Sequence, residues 1–140
     1  MPHIRNLALA VPRRGDDLLV FRGHDPTRGQ TFYRPLGGGI EFGETAEQAL
    51  HREMREELAV ELTGVRLLGV LENLFRGFDR DGHEIVFVFA CDLADPSLYE
   101  RDHVGEILDD AGTPVLWRPL SGFDGTTPLY PVGLADLLAT

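Results

Sequence analysis

The chain has 140 residues, 43% of them hydrophobic, which suits one globular domain (1–140) around a single core. Its net charge of −10 argues against binding polymeric nucleic acid, and the absence of lysine, with all 13 basic residues arginine, removes Walker-type phosphate loops and Schiff-base chemistry. No 18-residue apolar run and no basic-then-apolar leader is present, so neither a membrane span nor a signal peptide is expected. Residues 4–11 alternate and predict a strand with Leu7, Leu9 and Val11 on one side. Arg14, Gly15 and Asp16 predict a turn and 18–22 a second strand, together an N-terminal hairpin, and 23–30 reads as a polar loop. Phe32, Tyr33, Arg34 and Pro35 then enter a glycine turn at Gly37, Gly38 and Gly39. Thr45, with Gln48 three residues later, forms a capping box and starts a helix expected over 46–59. The ridge Ala46, Leu50, Met54 and Leu58 repeats at i+4 and should face a sheet.

Residues 65–78 and 83–93 predict two long strands joined by a hairpin turn at Asp79, Arg80, Asp81 and Gly82. In the second, Ile85, Phe87, Phe89 and Cys91 point one way, and Val86, Val88 and Ala90 the other. A strand apolar on both faces belongs in the centre of a covered sheet. Cys91 is the sole cysteine, so no internal disulfide is possible; it reads as a small buried residue, and a reducing cytoplasm fits. Residues 95–102 read as an acidic loop, and Asp109, Asp110, Ala111 and Gly112 as the turn of a last hairpin leading into a strand at 115–120. A short closing helix begins at 134–138, after Pro131. Mixed strands with one central and one terminal helix predict an α/β protein, an α/β/α sandwich around a mixed sheet.

The chemistry concentrates beside the glycine turn, in Glu44, Glu53, Glu56 and Glu57. At about 100° per residue, Glu53 and Glu57 lie roughly 40° apart around a helix, with Glu56 roughly 60° to the other side of Glu53. Like charges on one stripe repel unless a cation lies among them, and an all-oxygen cluster suits Mg²⁺ or Mn²⁺, not zinc. The competing reading is a solvated helix face laced by i,i+4 pairs such as Arg52 with Glu56. That reading explains Glu41, Glu47 and Glu61 well. For Glu53, Glu56 and Glu57 the neighbouring glycine turn favours a metal site.

Residues 38–60 resemble the Nudix box, G-x5-E-x7-R-E-U-x-E-E-x-G-U, where U is bulky and aliphatic. Gly38, Glu44, Arg52, Glu53, Met54, Glu56, Glu57 and Val60 stand at the required spacings. Ala59 replaces the usual glycine, which is expected to let the helix run slightly longer. The resemblance implies the Nudix fold, a Mg²⁺ cofactor with Mn²⁺ as substitute, and hydrolysis of a nucleoside diphosphate linked to another group. By carry-over, Glu53 and Glu57 hold the principal metal with a main-chain carbonyl of Gly37 or Gly38. Glu56 supports a second ion, and Glu44 and Arg52 orient the carboxylates. The general base is Glu53 or a distant loop glutamate such as Glu100 or Glu106.

Downstream of the box, Phe75 stands where ADP-ribose-specific members carry proline, and Arg76, Gly77 and Phe78 where dinucleoside-polyphosphate members carry tyrosine. Neither marker is present, which shifts weight to nucleoside di- or triphosphates. Phe75, Phe78, Tyr33 or Trp117 would stack on a base, and Arg34 or Arg76 would meet a phosphate. The expected partner is a small nucleotide, with no membrane, bound by a monomer or homodimer. The alternatives are a nucleotide-sugar or ADP-ribose pyrophosphatase, and a non-catalytic nucleotide-sensing domain, which would be expected to have lost box glutamates that this chain retains.

Overall fold

The computed structural model describes residues 2–139. In chain order these form strands β1 (Arg5–Ala10), β2 (Arg13–Arg14), β3 (Asp17–Asp25), β4 (Gln30–Arg34) and β5 (Gly37–Gly39), then helix α1 (Ala46–Leu58). Strands β6 (Leu62–Gly77), β7 (Arg80–Leu93), β8 (His103–Glu106) and β9 (Pro114–Pro119) follow, and helix α2 (Leu134–Leu138) closes the chain. One sheet runs β5-β1-β7-β6; the other runs β2-β3-β9-β8, with β4 paired to β3. Strands β1 and β7 are parallel, Arg5 opposite Glu84 through Ala10 opposite Phe89, which makes the first sheet mixed. None of the described helices is long and apolar enough to cross a membrane.

The two faces of β1 explain the layering. Ala8 and Ala10 point towards α1, where their small side chains admit the buried Ala49, Leu50 and Met54. Leu7, Leu9 and Val11 point away and pack with Val86, Val88 and Leu134 of α2. Strand β7 divides in the same way, Phe89 and Cys91 to the α1 side and Val86 and Val88 to the other, as expected of a central strand. Cys91 is buried, and its thiol is pushed up to about 12 by that burial, so it is an inert core residue.

Several boundaries differ from the sequence reading. The N-terminal hairpin forms between β2 and β3, Arg13 opposite Leu18, while β1 leaves for the other sheet. Residues 23–25 continue β3 and are not loop: Gly23 pairs with Phe32, whose ring lies where any side chain at Gly23 would go. Asp25 then closes the turn, accepting from Thr27 N at 3.0 Å and Thr27 Oγ1 at 2.7 Å. The β6–β7 turn is Phe78 and Asp79, with φ of 53° and 59°, and not 79–82. Gly82 lies within β7, covered by the ring of its cross-strand partner Phe75. An aromatic ring laid over a strand glycine recovers the packing that the glycine lacks.

Helix α1 begins as expected, with the Thr45 hydroxyl accepting from Gln48 N at 3.1 Å and the Gln48 side chain accepting from Thr45 N at 2.9 Å. It does not run on through Ala59. That residue is left-handed, φ 55° and ψ 40°, and its N–H donates to Arg55 O as a C-terminal cap. A Cβ in this region costs about 1 kcal/mol, which glycine avoids. Ala59→Gly is therefore expected to raise unfolding stability by about 1 kcal/mol, read from urea titration; an unchanged or lower midpoint would contradict the capping geometry.

Candidate active site

Strand β5 carries its glycines into a confined place. At Gly37, φ 145°, a Cβ would run into the Ala8 carbonyl of β1, and at Gly38 into the Glu53 carboxylate. Gly39 faces open space. The first two glycines thus let α1 bring Glu53 and Glu57 against the β5 main chain. Glu57 Oε1 accepts from Gly37 N at 3.0 Å.

Arg52 organises the remaining acids. Its guanidinium donates to both Glu44 oxygens, Nε at 2.8 Å and Nη2 at 2.9 Å, a bidentate pairing. It also donates to Gly39 O at 2.9 Å and to Glu53 Oε1 at 2.9 Å, and more loosely to Glu56 at 3.3 Å. The Arg52 bonds, with Glu41 N–H, hold the Glu44 carboxyl down at about 2. Glu53 is 17% exposed and Glu56 53%, so the two differ sharply in their access to water.

The three carboxylates expected to converge are therefore divided. Glu53 and Glu56 share Arg52, which already supplies positive charge, and Glu57 turns to Gly37. Among the described residues, no group of three or more His, Cys, Asp or Glu side chains is gathered as a metal cage. Burial pushes the Glu57 carboxyl up to about 7 against the pull of the Gly37 N–H, and Glu53, Asp109 and Glu56 add to the rise. No described cation pairs with it. A hard ion such as Mg²⁺ takes one or two carboxylates together with water and phosphate oxygens, so the donor set of Glu53, Glu57 and the β5 carbonyls fits such an ion.

Glu100 ends a 3₁₀ turn and Glu106 ends β8, both exposed. The segment just after β8 is the one that touches the box: Leu108 N donates to Glu57 O at 2.9 Å, and Asp109 couples electrostatically to Glu57. Sequence spacing gave no sign of Asp109, because the link depends on where the β8–β9 turn falls in space. Arg34, Phe75 and Arg76 do come together, lining a cavity of about 230 Å³ alongside Phe32, Phe78 and Tyr130. Arg34 is held there by Glu84 at 2.8 Å, and Arg76 by Asp79 and Asp81 at 3.2 Å each. Tyr33 and Trp117 lie elsewhere, Tyr33 under the Arg118 guanidinium and Trp117 stacked on Tyr99 in the core.

The sequence model of the NUDIX domain matches residues 3–111. An NAD-capped RNA hydrolase NudC from Pseudomonas putida is 40% identical over 68 residues, 49% of this chain but 24% of that protein. Low-salt glycan biosynthesis protein Agl8 from Haloferax volcanii is 34% identical over 94 residues, covering 64% of this chain and 59% of that protein. The chain thus spans only part of the length of these curated relatives. A MutT NUDIX hydrolase from Burkholderia pseudomallei superposes with a TM-score of 0.68 at 22% identity, over 97% of each chain. A NUDIX hydrolase from Nitrosomonas europaea gives 0.67 at 19% identity, over 99% of this chain and 87% of the other. The fold is that of these structures, and the chain belongs to the Nudix hydrolase family.

The Glu57 environment has a pH signature. Its folded value lies above the unfolded one, so its contribution is fully present below about 4.5 and is lost as pH rises through about 7. In metal-free protein, Glu57→Gln should remove that loss and raise the melting temperature at pH 8 by about 4 °C or more, with little change at pH 4. A melting temperature that falls at pH 8 would show that the carboxylate is not stressed.

Proposed function

We propose that this protein is a divalent-metal-dependent pyrophosphohydrolase that cuts a phosphoanhydride bond of a nucleoside diphosphate linked to another group, with (deoxy)nucleoside triphosphates as the leading substrate class. The observation that carries this reading is the pair Glu53 and Glu57 pressed against Gly37 and Gly38, with Glu57 desolvated and lacking a cation of its own. Glu53, Glu57 and the Gly38 carbonyl would hold the principal ion, Mg²⁺ or Mn²⁺, and the exposed Glu56 a second. Bound there, the ion supplies neutralisation of phosphate charge and acidification of a coordinated water.

The chain's own residues do the rest. Arg52 fixes Glu53 and ties Glu44 to the Gly39 carbonyl, so that the β5–α1 junction keeps its shape when anionic substrate arrives. Glu53, little exposed and beside Gly38, is one acceptor for the proton of the attacking water. Asp109 joins Glu100 and Glu106 as the loop acid to weigh against it, because its segment is tied to α1 through Leu108. A second reading, cleavage of a nucleotide sugar or of ADP-ribose, draws support from the relatives named for glycan biosynthesis and for NAD-capped RNA.

A panel of nucleoside triphosphates, nucleotide sugars, ADP-ribose and NAD, assayed with Mg²⁺ or Mn²⁺ for the bond that is cut, separates these readings. Activity should vanish with chelator. Glu53→Gln and Glu57→Gln should each lower turnover by about 10³-fold while circular dichroism remains native. Near-normal turnover in both variants would refute the site.

A further inference from the structure

Strand β6 stands at the edge of its sheet, yet it is apolar on both faces like a central strand. Leu68 and Leu71 pack on one face with Leu137 of α2. On the other face, where Val70 pairs with Phe87, helix α1 lies over β5 and β1 and hardly reaches β6. Leu67, Val70 and Leu74 are left 52%, 49% and 75% exposed. From Leu67 to Leu74 this strip runs about 23 Å, at roughly 3.3 Å per residue.

The outer main chain of β6 is open as well. The Arg76 carbonyl accepts from Arg28 of the β3–β4 turn at 3.1 Å, and Phe78 N–H donates to Asp25 at 3.0 Å, so that turn covers one end of the edge. Main-chain direction alternates along a strand, so Val70, Glu72 and Leu74 turn outward like Arg76. No described hydrogen bond reaches their outer groups. Natural sheets guard long edges with lysine, proline or bulges. Strand β6 has neither lysine nor proline over its 16 residues, and its bulges lie before Gly69, leaving the register with β7 regular from Gly69 to Gly77.

We propose that β6 is the contact surface for a second copy of this chain, the two strands pairing antiparallel about a twofold axis so that two four-stranded sheets become one. Leu67, Val70 and Leu74 then pack against the same strip of the other copy. Charge favours this occupant. The chain carries −10 overall, so most of its surface repels another copy, but β6 holds Arg66 and Arg76 against Glu72 alone. Antiparallel pairing sets Glu72 of one copy against the stretch from Arg66 to Arg76 of the other, twice by symmetry. Glu72 is exposed, with His83 at 3.4 Å, and Arg66 is exposed with no described ion pair or hydrogen bond. None of the box glutamates lies on β6, so the contact stands apart from the reaction proposed above.

Sedimentation equilibrium of the full chain, from about 1 μM to about 1 mM, spans the range of weak self-association. The expected result is reversible dimerisation, with slower amide exchange of Val70, Glu72 and Leu74 at high concentration. Leu71 and Asn73, which turn towards β7 in either state, should not change. Val70→Lys, at a side chain already half exposed, should raise the dimer dissociation constant about tenfold or more while circular dichroism remains native. Glu72→Arg should weaken the dimer as well, and mixing it with Arg66→Glu should restore a mixed pair in native mass spectra. The proposal is overturned if the chain stays monomeric throughout, if it dimerises without slowing those three amides, or if Val70→Lys dimerises as tightly as the native chain. A monomer in which the three amides are nevertheless slow would show that another segment covers the edge, and would overturn it too.

Discussion

Everything at the candidate site follows from how closely β5 lies to its neighbours. With the Ala8 carbonyl against one glycine and the Glu53 carboxylate against the next, there is no room for a side chain at Gly37 or Gly38. Main-chain groups of β5 are thereby placed where helix carboxylates can meet them, and the Gly37 N–H to Glu57 bond is the direct result. The small residues Ala8 and Ala10 on the same sheet allow α1 to sit low enough for this to happen. Backbone approach, and not the acidity of the helix, is the constraint that defines the site.

Electrostatics then sorts four glutamates, Glu44 just before α1 and Glu53, Glu56 and Glu57 in its second half, into different states. Arg52 has a planar fork of donors, and it spends them on Glu44, Glu53, Glu56 and the Gly39 carbonyl. Lysine has no such fork and could not hold this set in one geometry. Glu57 is left outside, half-buried and beside like charge, a condition that destabilises the protein and favours any arrangement that brings a cation there. Local electrostatic stress of this kind lowers stability where it is retained.

A second centre, the aromatic cavity of β4, β6 and β7, is built by different means. Its shape comes from cross-strand pairs in which rings cover glycines, Phe32 over Gly23 and Phe75 over Gly82. Asp25 ties the two turns around it, accepting from Thr27 and from Phe78 N at 3.0 Å. That second bond holds Phe78 in its left-handed conformation, where its ring meets Phe32. The carboxylate cluster and the aromatic cavity are therefore built by separate groups of residues, joined through the short link from Arg34 to Gly37.

What was readable along the chain is what depends on nearby residues. The capping box at Thr45 and Gln48, the Leu50 and Met54 ridge, the two-faced strand β7 and the 38–60 motif each express a local period or spacing, and each stands in the fold as read. The readings that failed needed distant partners. The Asp81 and Gly82 signal misplaced a turn because Phe75 claims Gly82 from across the strand, and residues 23–25 looked like loop because Phe32 had not yet been laid over Gly23. Ala59 looked helix-compatible, but its left-handed cap forms where the chain must leave α1 for β6. The parallel pairing of β1 with β7, the approach of Asp109 to Glu57 and the unpaired amide of Asn73 were fixed only by folding. Sequence alone set the residue types and their local periods; burial, charge balance and close approach arose only when segments far apart in the chain were packed together.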